Sequence, residues 1–299
     1  MRQHVHKLKI GINRYVLIAT ITLLLSFFYS SIVFANSNSL RSYLPSTQKM
    51  VLKAFEKTPQ FLKVGMFQDP KVDFRVPIFM YHSISDCETT SCIPEIQFRK
   101  QIDGLLAKGT QFITMSELLV AIETNQSLSE KTAILTFDDG YEDNFTVAYP
   151  YLMNKGVRGT IFVVTSTVNT KEHLTWQQMK LMTRDGWDLQ SHTHTHARLT
   201  ELNNDQRIME INKSKTMIET QLKNKVQIFC YPFGSYSAEV IDVIKKAGYR
   251  LAVTVKEGVA DETNAPLLLN RIRVDRYMSA DELWNKAFGG LSEKKEQFN

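Results

Sequence analysis

Residues 132–165 read TAILTFDDGYEDNFTVAYPYLMNKGVRGTIFVVT, and this stretch decides the fold. It opens on an apolar, β-branched run, Thr132–Phe137, and closes on a second, Gly159–Thr165. Between them lies a helical pattern over Asp143–Lys155, followed by Gly156 where a helix favours a left-handed residue past its last turn. Strand, helix and strand joined this closely imply parallel pairing through a helical crossover.

The same alternation continues on both sides. Further strand-like runs fall at Val76–Tyr81, Trp187–Gln190, Val226–Tyr231, Tyr249–Val255 and Leu267–Val274. Helical patterns occupy Gln97–Lys108, Thr175–Arg184, Asn204–Leu222 and Ala238–Ala247, and Gly109, Gly186 and Gly248 fall just past three of them. Seven strands in about 215 residues suit a (β/α) barrel. The alternative, a doubly wound open sheet, would carry a Gly-rich phosphate turn, which the chain lacks. In either architecture the chemistry sits just beyond the carboxyl ends of the strands.

Outside this region the composition changes. Met1–Arg14 carries Arg2, Lys7, Lys9 and Arg14 and no acid, and an uncharged run follows from Tyr15 to Phe34. Ala35 ends a small-residue exit, so residues 1–35 read as an export signal. The apolar run is also long enough to stay behind as a membrane anchor. Residues 36–74 are a polar spacer with one helical stretch near Thr47–Lys57, 75–290 form the domain, and 291–299 form a polar tail. The expected location is therefore outside the cell, secreted or attached to its surface or wall. Without the leader, 32 basic residues face 31 acidic ones, so the formal +5 charge is no nucleic-acid surface. The mature domain is expected to be a monomer. Three cysteines give no disulfide scaffold: Cys87 and Cys92 can bridge a small polar loop, and Cys230 sits in an apolar run as a buried thiol.

Four strand ends carry chemistry. They read Phe79-Met80-Tyr81-His82, Thr136-Phe137-Asp138-Asp139-Gly140, Ser191-His192-Thr193-His194-Thr195-His196 and Cys230-Tyr231-Pro232-Phe233-Gly234. Asp-Asp-Gly by itself is a turn sequence. On one rim with a histidine cluster it is more, because adjacent carboxylates repel unless a cation compensates. One carboxylate and two neutral imidazoles would hold a divalent ion with positions left open. Residue spacing leaves the histidines unranked. An extended chain turns all three one way, whereas a helical turn pairs His192 with His196.

The Asp-Asp-Gly and His-x-x-x-His segments resemble the first two motifs of the NodB-homology polysaccharide deacetylases, carbohydrate esterase family 4, over about Val76–Phe288. The resemblance implies a distorted (β/α) barrel of about seven parallel strands. It also implies one divalent ion, zinc ahead of cobalt, nickel or manganese. By position it makes Asp138 the general base and Asp139, His192 and His196 the metal ligands, with His194 at a variable position on a helical turn. The family's third motif, Arg-x-Pro-Tyr, is matched by Cys230–Phe233, which implies Phe233 as the backbone oxyanion donor and leaves the base without its arginine. Arg271 and Arg273 are candidates to replace it, and Tyr231 and Trp176 are candidates to touch substrate. The family's late Leu-x-His acid is absent, for no histidine follows His196. His82 takes its place if the chain resembles the circularly permuted subgroup, which includes poly-β-1,6-N-acetylglucosamine deacetylases. The expected reaction is then metal-dependent deacetylation of that polymer. Peptidoglycan, chitin oligomers and xylan are the alternative substrates, and an inactive sugar-binding module is the alternative class.

Overall fold

The computed structural model describes residues 74–289. The export segment, the spacer apart from Phe74 and the polar tail lie outside the described residues. Within them, no helix is long and apolar enough to cross a membrane.

Seven parallel strands close into a barrel. They are β2 (Ile78–Tyr81), β4 (Thr132–Phe137), β5 (Thr160–Val163), β6 (Asp188–Ser191), β7 (Ile228–Cys230), β8 (Leu251–Glu257) and β10 (Leu269–Arg273). β10 pairs with β2 through Ile272 opposite Phe79, and β2 pairs with β4 through Ile78 opposite Ile134. These two pairings close the ring and exclude the open doubly wound sheet. The barrel is distorted where β6 meets β7 at a single pair, Ser191 opposite Phe229, and where β10 shifts register against β8 between Leu269 and Arg271.

The expected run Val76–Tyr81 is two strands. Pro77 has no N–H to give a ladder. β1 (Arg75–Val76) leaves the barrel to pair antiparallel with β9 (Ala260–Asp261), and the Pro77 carbonyl accepts the Ile134 N–H at 2.9 Å. A short β3 (Gln111–Ile113), not expected from sequence, pairs with the start of β4.

The helices α1 (Glu95–Ala107), α2 (Met115–Thr124), α3 (Tyr149–Asn154), α4 (Trp176–Arg184), α5 (Asn204–Leu222), α6 (Ala238–Lys246) and α7 (Ala280–Phe288) connect or follow the strands. Neither α2 nor α7 was expected. The helix expected over Asp143–Lys155 instead starts as a π-helical turn, Asn144–Ala148, in which the Tyr149 N–H reaches the Asn144 carbonyl. Pro150, with no N–H of its own, follows immediately.

Alternation along the strands separates two cores. Phe79, Leu135, Phe137, Ile161, Leu189 and Phe229 pack outward under the helices, whereas Ile78, Ile134, Phe162, Ile228, Val253 and Leu269 share a smaller cluster. Met115, Leu118 and Leu119 of α2 join that second cluster at the end where the strands begin. Each such side chain, fully buried, contributes about 1.5–3 kcal/mol. The strand beginnings are therefore sealed with apolar side chains, and the polar residues collect at the other end.

Candidate active site

β4 delivers Asp138 directly after Phe137, 2% exposed, with its N–H donated to the Tyr81 carbonyl at 3.0 Å. The chain then turns through left-handed Asp139 (φ 71°) and Gly140 (φ 74°), leaving Asp139 partly exposed at the rim. β6 delivers His192, followed by left-handed Thr193 (φ 69°) and His196 (φ 60°). The segment after Ser191 is thus an irregular loop rather than the helical turn that the resemblance implied. Thr193 Oγ1 accepts the His196 N–H at 3.0 Å. Glu210 of α5, buried, accepts the N–H groups of His194 at 3.0 Å and Thr195 at 2.8 Å and the Thr195 hydroxyl at 2.7 Å. His192 and His196 consequently face one another, ring centres 4.7 Å apart, while His194 turns away to Thr165 at 2.9 Å. Phe233, after β7, is left-handed as well (φ 59°). Among the described residues eight non-glycines have positive φ, and four of them (Asp139, Thr193, His196 and Phe233) stand at this rim. Strain of about 1–3 kcal/mol at each is the pattern of a functional site.

Asp139 Oδ1 lies 3.6 Å from His192 Nε2 and 3.5 Å from His196 Nε2. Two ligand atoms each ~2.0–2.2 Å from a tetrahedral ion are themselves roughly 3.4 Å apart, so the triad fits a divalent metal. The chemistry of the donors agrees. Burial pushes the His192 pKa down, which keeps the imidazole neutral. Its Nδ1–H donates to the Cys230 carbonyl at 2.8 Å, which turns the Nε2 lone pair toward Asp139.

Arg271, 1% exposed and projecting from β10, grips Asp138 at both oxygens, Nη1 to Oδ1 at 2.7 Å and Nη2 to Oδ2 at 2.8 Å. Its remaining donors reach the Thr254 carbonyl at 2.8 Å, Thr136 Oγ1 at 3.2 Å and Cys230 Sγ at 3.3 Å. Burial alone would raise the Asp138 pKa, but the Arg271 guanidinium holds it well below the usual carboxylate range. Cys230 is the buried thiol that the sequence indicated, packed against this pair. Burial pushes its pKa up and keeps it a thiol.

His82 closes the site from β2, its Nε2 3.9 Å from Asp138 Oδ2 and its side chain 26% exposed. A cleft of about 560 Å³ opens beside it, walled by Ser83, Ser85, Tyr141, Asp143, Glu172 and the loop bridged by Cys87–Cys92. A smaller one, about 200 Å³, lies between His82, Thr90, Ser91 and Arg273. Burial and the nearby Asp139 and Asp143 raise the Tyr141 pKa to about 12, so its hydroxyl stays protonated in the larger cleft.

Two candidate roles do not survive, those of Tyr231 and of Arg273 as the base's arginine, and Trp176 stands away from the two clefts. Tyr231 is fully buried, with its hydroxyl donated to the Leu267 carbonyl at 3.0 Å, so it faces the core and not substrate. Trp176 packs against the outward core at the start of α4 and lines neither cleft. Arg273, two residues beyond buried Arg271 and exposed at the end of β10, stands beside His82 and does not reach Asp138. Conversely, Glu210 and Asn144 were invisible in the sequence. Both act on backbone groups, and a residue that serves a loop's N–H or C=O groups has no motif spacing.

Comparison with known proteins places this geometry in a class. The polysaccharide deacetylase profile matches residues 125–252, which include Asp138, Asp139, His192, His196 and Phe233 but neither His82 nor Arg271. The Bacillus subtilis protein YxkH, a provisionally named polysaccharide deacetylase, is 35% identical over 219 residues, 73% of this chain and 76% of its own. The chain belongs to the polysaccharide deacetylase family, carbohydrate esterase family 4, and is an amide-cleaving hydrolase. Among named relatives, the poly-β-1,6-N-acetyl-D-glucosamine N-deacetylase of Staphylococcus aureus is 25% identical over 234 residues, 73% of this chain and 78% of its own. Among solved structures, the Streptococcus pyogenes deacetylase PplD, determined with acetate, superposes with a TM-score of 0.68 at 29% identity, over 72% of this chain and 99% of its own. IcaB from Ammonifex degensii has the same fold, with a TM-score of 0.66 at 22% identity, over 72% of this chain and 97% of its own.

Proposed function

We propose that this chain is exported and removes acetyl groups from poly-β-1,6-N-acetylglucosamine in a metal-dependent hydrolysis, releasing acetate and leaving cationic amines on the polymer. The observation that carries the reading is His82. It reaches the Asp138 carboxylate from the first barrel strand, in a chain with no histidine after His196. The similarity to the Staphylococcus aureus enzyme supports the choice of polymer.

In this reading Asp139, His192 and His196 hold the ion, and Asp138, kept ionised and oriented by Arg271, takes the proton from the attacking water. A divalent ion bound there would polarise the acetyl carbonyl and lower the pKa of that water, which lets so acidic a carboxylate serve as base. The Phe233 backbone N–H, turned by its left-handed φ, supports the oxyanion. His82 then protonates the departing amine, a poor leaving group without a proton donor.

The test is acetate release by residues 36–299 from poly-β-1,6-N-acetylglucosamine, peptidoglycan, chitin oligomers and acetylated xylan. Release is expected from the first. It should disappear with a chelator and return on adding a divalent metal. Preference for another polymer would replace the substrate, and undiminished release in excess chelator would end the metal reading. His82→Ala is expected to lower kcat about 10²-fold. Because the ring is partly exposed, Tm should stay within a few degrees. A kcat within twofold of wild type would remove His82 from the mechanism.

A further inference from the structure

We propose that Asn144 is a positioning residue for His82, acting through the backbone of the strand end on which the imidazole stands. The proposal rests on the reading of His82 as proton donor.

Asn144 is fully buried, and its amide donates once to this strand end and once to the neighbouring Asp143. Nδ2 donates to the His82 carbonyl at 2.8 Å and to Asp143 Oδ1 at 2.9 Å. Its own Oδ1 is buried with no hydrogen-bond partner. A buried amide rarely leaves an acceptor unmet. Flipping the group would set that oxygen against the His82 carbonyl and the Asp143 carboxylate, so the two acceptors dictate the orientation. The side chain is thus held with its donors toward His82 at the expense of its oxygen.

Its neighbours extend the same grip. The Asp138 N–H donates to the Tyr81 carbonyl at 3.0 Å, and the Ser83 hydroxyl donates to Asp143 at 2.5 Å. Three consecutive residues, 81 to 83, are therefore pinned by the stretch 138–144. That stretch begins with the base and ends at the π-helical turn, a widened geometry frequent at functional sites. Acid and base reside on different strands, and the Asn144 contact sets one against the other. A group misplaced by about 1 Å can lose 10²-fold in rate.

The experiment is a double-mutant cycle on acetate release, using the polymer that wild type deacetylates. Asn144→Leu should lower kcat roughly 10- to 100-fold with KM within about twofold. In the His82→Ala background the same substitution should cost less than about twofold, because the group it positions is gone. Equal losses in both backgrounds, or full activity of Asn144→Leu, overturn the proposal. Full activity of His82→Ala overturns the reading beneath it as well. If Asn144→Leu fails to fold by circular dichroism, Asn144→Ser goes through the same cycle with the same two outcomes.

Discussion

Arg271→Met is expected to cost about 3–5 kcal/mol of folding stability and most of the activity. The guanidinium and the Asp138 carboxylate are both buried and joined by two hydrogen bonds, so the variant leaves a carboxylate in the core with no counter-ion. The pH dependence identifies the cause. Arg271 holds the folded pKa of Asp138 below its unfolded value of about 3.9, so wild type gains stability as pH rises toward that value and keeps it at higher pH. Without Arg271, burial raises the folded pKa above the unfolded one, and stability is lost as pH climbs from about 3.9 toward that raised value. The deficit should therefore be larger at pH 7 than near pH 4, measured by urea unfolding at each pH. A deficit independent of pH would assign it to lost packing of the long side chain instead. Arg271→Lys should restore little, because a point charge cannot hold both carboxylate oxygens in one plane.

Asp138→Asn is expected to abolish detectable turnover, a loss of about 10³-fold or more, while metal content stays near wild type. An amide cannot accept the proton from water, yet Asp139, His192 and His196 lose only a neighbour and keep the atoms that could hold an ion. The substitution also sets an amide NH2 against a guanidinium that needs acceptors, so Tm should fall as well. Wild-type turnover in this variant would sink the base assignment. Loss of metal together with activity would show that Asp138 belongs to the ligand set.

How much of this could be read in the chain depended on scale. The seven barrel strands are apolar runs bounded by helices and left-handed glycines, and their periodicity stated the architecture. The Asp-Asp-Gly and histidine segments were legible as one rim, but spacing left the three histidines open, and the family resemblance ranked His192 and His196 over His194. Arg271 and Arg273 could not be ranked from sequence alone, since period-two alternation gives both the same face, and only depth in the fold separates buried Arg271 from Arg273 exposed at the strand end. β3 has only three residues, too few to show a period. The π-helical turn depends on which carbonyl the Tyr149 N–H finds, and composition does not record that choice. Tyr231 misled for a general reason. Aromatic residues near a rim serve the core more often than the ligand.

The seam where β10 meets β2 has a consequence for the life of the chain. Phe79 and Ile272 are paired neighbours in space, yet most of the domain is synthesised between them. The histidine, the aspartate and the arginine around the site come from β2, β4 and β10, so they assemble only when that last strand seats. Until then Asp138 has no guanidinium against it. A chain shortened before β10 is therefore expected to lack the oriented carboxylate, and with it turnover.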